Sequence, residues 1–309
     1  MISTIVVLGS IVMDIVVQTP RIPASGENLH AHAVIPTTGG KAANAAVAFS
    51  RLSGRAYLIS NVGDDMFGEE ALRTLVEEQV DIRGVGKVTE APTGAGVLMV
   101  EPNGQTAFII APGANLTLTP KEVEMRMRPI LNGLNGMLFN FEAPEDALLC
   151  AVELASHAGI PIFVDAGPAR SYSPELWRHA EVLSPNQPET EALVGFAIDS
   201  AEAARAAASA LLAQGPRAVV LKLGARGALL ATADTMRFYP AFPIRPVDTA
   251  GAGDAFTAGL VWARLQGWDW DRTMRWASAC GALAAARLGA MAGAPTRDQV
   301  ETFLSTTAR

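Results

Sequence analysis

The sequence predicts an α/β fold in which a doubly wound, mostly parallel sheet lies between two layers of helices. Short β-rich runs alternate with longer helical patterns along the 309 residues, which is typical of this three-layer α/β/α arrangement. Some runs are continuously apolar, as in Val219-Val220-Leu221, and such runs indicate strands that are covered on both faces. The predicted strands are Thr4–Gly9, Ala56–Asn61, Gly136–Asn140, Ile162–Asp165, Val182–Ser184 and Ala218–Leu223.

Helices are predicted where apolar residues return once per turn on one side of a segment. In Glu145–His157, for example, Leu148, Val152 and Ala155 share one face, which would pack against the sheet. The other predicted helices are Lys41–Leu52, Glu69–Glu78, Ser200–Leu212, Asp254–Leu265 and Thr273–Leu288.

Two stretches interrupt the alternation, because each holds two strand-like runs with no helix between them. The turn Glu101-Pro102-Asn103-Gly104 within the second stretch is a hairpin signal, since Asn-Gly suits positive φ. We predict a small separate sheet, from about residues 11–35 and 94–110, inserted into a single domain that spans residues 1–309. Such a sheet would cover a cleft as a lid; the alternative is an extra antiparallel edge on the main sheet. The four runs are Ile11–Val17, Leu29–Ile35, Gly94–Val100 and Thr106–Ile110.

The charge balance argues against a nucleic-acid partner. The chain has 24 basic and 31 acidic residues, a net charge of −7, and its basic residues form no cluster. The two cysteines, Cys150 and Cys280, form no CxxC pair, which fits a reduced cytoplasm. The longest apolar run near the C-terminus, Trp276–Ala286, is too short to cross a bilayer. We therefore expect a soluble cytoplasmic protein with no membrane or nucleic-acid partner.

The segment Asp248-Thr249-Ala250-Gly251-Ala252-Gly253-Asp254 carries the clearest chemical signal. Its glycines stand just before a helical pattern, and a helix start offers unpaired N–H groups and a positive dipole end to an anion. Asp254 would lie in the first helical turn, where its carboxylate could take a hydroxyl proton while the amides hold a transferring phosphoryl group. The alternative is an ordinary first-turn Asp in a helix that a flexible loop opens.

A second glycine pair, Gly39-Gly40, also precedes a helical pattern, and Lys41 and Asn44 would share one face of that helix. Together these two side chains could hydrogen-bond a polyhydroxylated ligand. The segment is not a Walker A loop, because Ile35 stands where the leading glycine belongs and Ala42 follows the lysine. The alternative is a turn followed by a solvated helix face.

Four further polar residues stand where a ligand would explain them. Asp14 interrupts an apolar run and needs either ligand hydroxyls or an internal hydrogen bond. Asn186 and Glu189 follow a strand end, where α/β sheets bind ligands, and their oxygens would suit Mg²⁺; taken alone, the pattern favours the alternative of an N-cap and its capping-box acid. Lys222, in the strand-end segment Lys222–Gly227, would either reach a phosphate or be solvated.

In their order and separation, the Gly39–Asn44 and Asp248–Asp254 segments resemble the ribokinase family of carbohydrate kinases, also called the PfkB family. The likeness extends over nearly the whole chain. It implies a ribokinase-like fold and ATP-dependent transfer of the γ-phosphate to a primary hydroxyl of a sugar, a ribose-like pentose or a related carbohydrate. It also implies that Asp254 is the general base. The anion hole and its loop would be Gly251, Ala252, Gly253 and the amide of Asp254.

The resemblance also assigns residues to three binding sites and to a dimer. The sugar-contacting positions are Asp14, Gly40, Lys41, Asn44, Glu142 and Asp254. The nucleotide positions are Asn186, Glu189, Lys222, Gly224, Gly227 and Ser278, and Glu189 would hold Mg²⁺ through water. The loops for a monovalent cation, which would be potassium held largely by carbonyls, are Asp248, Ala250, Ala284, Arg287, Gly289 and Gly293. The family's small sheet serves as a lid and often as a dimer interface, so we expect a homodimer through that sheet.

The chain departs from the family pattern at four positions. Val12 stands where ribokinases carry Asn, which removes a partner for a sugar hydroxyl and bears on the choice of sugar. Ser278 replaces an imidazole or amide near adenine. Gly293 stands in place of a serine beside the cation, and Ala42 stands in place of a glycine. None of these changes touches the residues of phosphoryl transfer.

Two alternatives to a sugar kinase remain open. A nucleoside kinase on the same scaffold would need an aromatic slot for a base under the lid, for which Phe108 and Phe141 are the candidates. A non-catalytic sugar-binding sensor would keep the fold and bind ligand without forming ADP. The presence of Asp254 and of the glycine loop argues against the sensor.

Overall fold

A nine-stranded sheet forms the centre of the protein in the computed structural model, which describes residues 2–102 and 105–307. A second sheet of four strands lies beside it. The strands are β1 (Thr4–Leu8), β2 (Val12–Gln18), β3 (Ala33–Gly39), β4 (Arg55–Gly63), β5 (Asp81–Val88), β6 (Gly94–Val100), β7 (Thr106–Ala111), β8 (Gly136–Asn140), β9 (Ile162–Asp165), β10 (Val182–Leu183), β11 (Ala218–Lys222), β12 (Ala228–Thr232) and β13 (Met236–Tyr239). The α-helices are α1 (Lys41–Arg51), α2 (Met66–Glu77), α3 (Pro120–Met127), α4 (Glu145–His157), α5 (Gln187–Val194), α6 (Ala201–Leu212), α7 (Ala252–Leu265), α8 (Trp270–Ala285), α9 (Ala290–Gly293) and α10 (Arg297–Thr306).

The large sheet has the strand order β13-β12-β11-β10-β9-β8-β1-β4-β5. All neighbours from β11 to β5 pair in parallel, whereas β12 and β13 add an antiparallel edge. The order reverses at β1, which pairs with β4 on one side and with β8 on the other. Such a reversal opens a crevice at the carboxyl ends of the strands. The architecture confirms the predicted α/β fold class.

Successive side chains of a strand enter two different cores, one under each helical layer. On β1, Ile5 and Val7 join the core formed with α1, α2, α7 and α8, whereas Val6 and Leu8 join the core formed with α3, α4 and α6. All four side chains are fully buried, which is why this run is continuously apolar. The predicted apolar face of α4 is buried in the second core.

The small sheet is separate from the large one and has the order β3-β2-β6-β7. Its central strands β2 and β6 are parallel, and the outer strands pair antiparallel to them. Three of the predicted runs match these strands, but the prediction of a strand at Leu29–Ile35 is wrong in its bounds, because β3 begins and ends later. The β-branched Thr37 and Thr38 extend β3, and its Pro36 is tolerated because β3 is an edge strand.

Two further expectations concern the hairpin and the membrane. The Asn103-Gly104 tip of the predicted hairpin lies outside the described residues, although β6 and β7 on either side of it pair antiparallel. Within residues 2–102 and 105–307, no helix combines the length and the apolar character that a bilayer crossing requires.

Candidate active site

Polar and charged side chains collect at one edge of the large sheet, where β8, β9 and β11 end. Glu142 follows β8, Asp165 is the last residue of β9, and Lys222 is the last residue of β11. The first turns of α1 and α7 reach the same edge, so that Nζ of Lys41 lies 3.7 Å from Oδ1 of Asp254. Because the carboxyl ends of parallel strands meet at one edge, residues far apart in sequence form one site.

The start of α7 forms where the sequence predicts a helix start. Gly251 precedes the helix with a φ of 71°, and a Cβ at this position would lie 2.6 Å from the carbonyl oxygen of Ala290, the first residue of α9, so only glycine fits. The amide of Ala252 donates to the carbonyl oxygen of Thr249 at 3.3 Å. Of the three amides predicted for the anion hole, this one therefore already has an acceptor, whereas those of Gly253 and Asp254 lie in the first turn, where amides have no partner within the helix.

The Asp254 carboxylate is buried, with 6% of the residue exposed. Its Oδ2 accepts a hydrogen bond of 2.9 Å from Nδ2 of Asn44. Burial raises the pKa of Asp254, and the nearby Lys41 ammonium opposes this shift only in part. A carboxylate with a raised pKa is a stronger base than an exposed one, which suits a group that takes up a hydroxyl proton.

The ammonium group of Lys41 joins three carboxylates. In addition to Asp254, Nζ lies 3.4 Å from Oε1 of Glu189 and 3.7 Å from Oδ1 of Asp165. Burial favours the neutral amine, but the surrounding carboxylates outweigh it and raise the pKa of Lys41 well above its ordinary value. Gly167 makes the contact with Glu189 possible, since a Cβ there would lie 2.4 Å from both Cε of Lys41 and Oε1 of Glu189.

Asp14, on β2, points to the crevice from the small sheet. A Cβ at Gly39 would lie 2.0 Å from its Oδ2 and one at Gly96 would lie 2.6 Å from its Oδ1, so the two glycines make room for the carboxylate. Burial, followed by the charges of Glu142 and Asp254, raises the pKa of Asp14 to about 6. Within the described residues its Oδ1 is buried without a hydrogen-bond partner, so a ligand hydroxyl explains Asp14 better than an internal bond does.

Glu142 ties the start of α1 to the end of β8. Its carboxylate accepts hydrogen bonds from the hydroxyl of Ser10 and, at 3.3 Å, from the amide of Lys41. Burial raises the pKa of Glu142.

Gly40 caps α1 with a φ of 98°, and a Cβ there would lie 2.6 Å from the carbonyl oxygen of Ser10. The Oδ1 atom of Asn44 is, like that of Asp14, a buried acceptor without a partner in the described part of the chain. The structure thus brings the predicted sugar-contacting residues together.

Asn186 and Glu189 form the capping box that one interpretation of the sequence predicts. Oδ1 of Asn186 accepts the amide of Glu189 at 2.9 Å, and Oε2 of Glu189 accepts the amide of Asn186 at 2.7 Å, which is a complete capping box. The other oxygen of Glu189 faces Lys41 in the site. No group of three or more ligating side chains in the described ranges is arranged to hold a metal ion. Mg²⁺ commonly takes one or two carboxylates together with phosphates and water, and the Glu189 carboxylate at this edge of the site is the one that the resemblance implies for it.

Two residues of the site, Asp165 and Thr257, carry no motif in the sequence. Oδ2 of Asp165 lies 2.9 Å from Nζ of Lys222 and accepts the hydroxyl of Thr257 at 3.1 Å. Lys222 is therefore buried and paired, which excludes the interpretation of a solvated strand-end lysine. Asp165 stands at the end of an apolar run, as Lys222 does, and this strand-end position is the sequence signal that could have identified it as a site residue. Nothing in the sequence pairs Thr257 with either of them.

The remaining predicted nucleotide positions lie on the turn after β11 and on α8. Gly224 has a φ of 59°, and the space where its Cβ would be is open. Gly227 has a structural reason for its identity, since its φ is 91° and a Cβ would lie 2.0 Å from the carbonyl oxygen of Tyr239. Ser278 lies partly exposed on α8.

The predicted cation loops lie against each other. Both oxygens of Asp248 accept backbone amides at 2.9 Å, one from Ala250 and the other from Gly289. A Cβ at Gly293 would lie 3.0 Å from the carbonyl oxygen of Ala284, so these two segments also touch. The guanidinium of Arg287 turns away to Oε1 of Gln299 at 2.8 Å, which leaves its backbone as the group that could face a cation. The structure thus brings together the two segments that the resemblance implies for a monovalent cation.

Comparison with known proteins identifies the family of the chain. Residues 3–297 match the sequence profile of the pfkB family carbohydrate kinases. The chain therefore belongs to the pfkB family of carbohydrate kinases. It is a phosphotransferase with an alcohol group as the acceptor.

Individual relatives match over almost their full length. A ribokinase of Haemophilus influenzae is 30% identical over 302 residues, which are 98% of this chain and 98% of the relative. A deoxyribokinase of Salmonella typhi is also 30% identical, over 97% of this chain and 98% of the relative. The structure of Arabidopsis thaliana ribokinase complexed with ribose and ATP superposes with a TM-score of 0.90 at 29% identity, and covers 98% of this chain and 99% of that one. A ribokinase II candidate from Escherichia coli, in complex with ATP and Mg²⁺, superposes with a TM-score of 0.81 at 25% identity, over 99% of this chain and 100% of that one.

Proposed function

We propose that this protein transfers the γ-phosphate of ATP to the primary hydroxyl of a ribose-like pentose or a related sugar, with Asp254 as the general base. The observation that carries the proposal is the position of Asp254, a buried carboxylate in the first turn of α7 that lies within reach of Lys41 and Asn44. Ribose and ATP in the similar Arabidopsis structure support the choice of substrates.

The sugar would lie between the small sheet and the carboxyl ends of the large one. The unpartnered oxygens of Asp14 and Asn44 would accept its hydroxyl hydrogens, and Lys41 would donate to a hydroxyl oxygen. Asp254 takes the proton of the primary hydroxyl as that oxygen forms its bond to the γ-phosphorus. The bond between the γ-phosphorus and the bridging oxygen breaks, and ADP leaves with the electron pair. The amides at the start of α7 stabilise the phosphoryl group while it is transferred.

The negative charge of the ATP phosphates has to be neutralised for the transfer to occur. Glu189, partly through water, is the residue that would hold Mg²⁺, which neutralises phosphate charge when bound. We infer that potassium binds between the Asp248–Ala250 loop and the Ala284–Gly293 segment, which the Asp248 carboxylate joins through hydrogen bonds from the amides of Ala250 and Gly289, just before the helix start of α7.

The experiment that tests the proposal is a substrate panel scored by ADP release. We expect turnover with ribose, and also with deoxyribose, because Val12 is 2% exposed and cannot hydrogen-bond a sugar hydroxyl. Fructose, 2-keto-3-deoxygluconate and nucleosides complete the panel. Each assay is run with potassium and with a bulky organic cation in its place, and we expect potassium to increase kcat. ADP release with nucleosides alone, or ligand binding without ADP release, would contradict the proposal.

A nucleoside acceptor is favoured by one observation only. Phe108 of β7 is 52% exposed, and its ring lies against Gly96 on the face of the small sheet that carries Asp14. Phe141, the other candidate, is a packing residue: it is 1% exposed and its ring centroid lies 4.1 Å from that of Tyr172. A single exposed ring gives a base one stacking partner, so the panel is expected to place nucleosides behind pentoses.

We also propose that two copies of the chain associate through the small sheet. On the face turned away from Asp14, the strands present an apolar surface on which Val34 is 61% and Ile109 is 65% exposed. Apolar surface of this kind is typical of a protein interface. Replacing both residues with Lys is expected to convert a dimer into a monomer in sedimentation-velocity runs. The matched control is Met125→Lys, at a site on α3 that is 63% exposed, and it should remain dimeric. A monomeric wild-type protein would refute the interface.

A further inference from the structure

Three buried side chains lie beneath the start of α7. Nζ of Lys222 donates hydrogen bonds to Oδ2 of Asp165 at 2.9 Å and to Oγ1 of Thr257 at 3.1 Å. The hydroxyl of Thr257 donates to the same Asp165 oxygen at 3.1 Å. The three residues are 8%, 5% and 1% exposed for Lys222, Asp165 and Thr257. The ammonium group is therefore held at one point, although a lysine side chain is otherwise flexible.

We propose that Asp165, with Thr257, is a positioning residue for phosphoryl transfer: it holds the Lys222 ammonium against the first turn of α7, where it meets the phosphate oxygens of ATP. The inference rests on the proposed function and extends it to residues that touch neither sugar nor nucleotide.

The geometry places the ammonium next to the anion hole. Nζ of Lys222 lies 3.7 Å from the point that a Cβ on Gly253 would occupy, and Gly253 immediately precedes Asp254. An ammonium group has three N–H donors, and within the described residues Asp165 and Thr257 accept two of them. The third donor remains for a phosphate oxygen. Thr257 lies one turn after Gly253 on α7, so the helix that carries the amides also fixes the lysine.

Asp165 stands between the two ammonium groups of the site. Its Oδ2 contacts Lys222, and its Oδ1, buried without a hydrogen bond in the described ranges, lies 3.7 Å from Nζ of Lys41. Burial works to raise the pKa of Asp165, but Lys222 and Lys41 outweigh it and lower the pKa. The pKa of Asp254 is shifted in the opposite direction. Neighbouring carboxylates with opposite shifts have different tasks: one takes up a proton, and the other keeps its charge.

A purely structural role explains the group less well. A buried ion pair is weak evidence for stability, because the cost of desolvating two charges offsets most of their attraction. Here the pair also sits at the ends of β9 and β11, the edge where the substrates bind. A pair that served packing alone would have no need to face the anion hole.

A double-mutant cycle tests the proposal. Lys222→Met is expected to lower kcat by about 100- to 1000-fold, since it removes a charge that stabilises the transition state. Asp165→Asn keeps the shape of the side chain but loses its charge, and it is expected to lower kcat by about 10- to 100-fold with a smaller change in KM for the sugar. If Asp165 acts through Lys222, the double variant should match Lys222→Met within about threefold. Losses that multiply in the double variant, or an unchanged kcat in Asp165→Asn, would overturn the proposal.

Thr257 supplies a second test that preserves the ion pair. Thr257→Val is expected to lower kcat by about fivefold or more, and Thr257→Ser should restore most of the loss because it returns the hydroxyl. If Asp165→Asn fails to fold, as judged by its melting temperature, this pair of variants decides the question, and equal kcat values for Val and Ser would count against it.

The affinity for ATP of the wild type, the two single variants and the double variant is also measured, by calorimetry with Mg²⁺ and no sugar. The Lys222→Met and Asp165→Asn variants are expected to weaken ATP binding, and again their effects should not multiply. This readout separates the two proposals. A wild-type protein that turns over no sugar but shows the coupled loss of ATP affinity refutes the proposed reaction and keeps the role of Asp165. A wild-type protein that turns over sugar, combined with losses of ATP affinity that multiply in the double variant, supports the proposed reaction and refutes the role of Asp165.

Discussion

The Asp254→Asn variant is expected to lose kcat by about 10²- to 10⁴-fold while it still binds ATP. The amide cannot take the hydroxyl proton, yet it retains the size of the carboxylate and an oxygen that can accept the hydrogen bond from Asn44. The variant removes one negative charge beside the phosphate site, so ATP affinity should be equal to or greater than that of the wild type. Steady-state kinetics with the best sugar of the panel and calorimetry with ATP measure the two quantities.

Asp271→Asn is the matched control, because Asp271 is also an acid in the first turn of a helix, α8, but is exposed and pairs with Arg237. If Asp254 served only the helix dipole, the two variants would behave alike, each losing a little stability and no turnover. An Asp254→Asn enzyme with wild-type kcat would remove this residue from the mechanism.

The Asp14→Asn variant is expected to be more stable than the wild type above pH 6 but to bind sugar poorly. The pKa of Asp14 is about 6 in the folded protein and 3.8 for the exposed group, so the folded state bears the cost of a poorly solvated charge. The shift corresponds to at most about 3 kcal/mol of unfolding free energy. Above pH 6 the folded carboxyl is charged and the cost is complete; from pH 6 down to about 4 the folded protein takes up the proton and the cost disappears. The advantage of the variant should shrink over the same interval.

Thermal unfolding of both proteins between pH 4 and pH 8 measures this difference, and Asp234→Asn, in the exposed turn between β12 and β13, is the control. The KM for the sugar should increase by about tenfold or more in Asp14→Asn, because a charged acceptor of hydroxyl groups is replaced by a neutral one. Equal melting temperatures for wild type and Asp14→Asn at pH 8, with an unchanged KM, would contradict both the buried charge and its role in binding.

The sequence predicted the elements whose patterns are local and strong. The parallel strands that are covered on both faces, such as β1 and β8, are continuous apolar runs and lie where they were expected. β5 was missed because Arg83, Lys87 and two glycines interrupt its apolar pattern, and it lies at the edge of the sheet. The antiparallel strands β12 and β13 were also missed, because they are only five and four residues long and Arg237 interrupts the second.

In the candidate site, too, residues with a local sequence pattern were predicted and residues without one were missed. Asp254 and Lys41 were found because a glycine-rich segment precedes each of them, and a helix start has a recognisable sequence. Asp165 and Thr257 were not found, because they are joined to Lys222 across 57 and 35 residues of sequence. A strand-end acid has no distinctive neighbours, and its importance appears only when the partner lysine is seen beside it.

The chain segments that join β2 and β3 of the small sheet to β1 and α1 are very short. β3 ends at Gly39, α1 begins at Lys41, and Gly40 alone separates them, while three residues join β1 to β2. A tilt of the small sheet would therefore displace the first turn of α1, which carries the Lys41 ammonium group and the Asn44 side-chain amide that contact Asp254. Closure of the small sheet over the acceptor would therefore also move the groups that contact Asp254, so that covering the substrate and arranging the reactive groups would occur together.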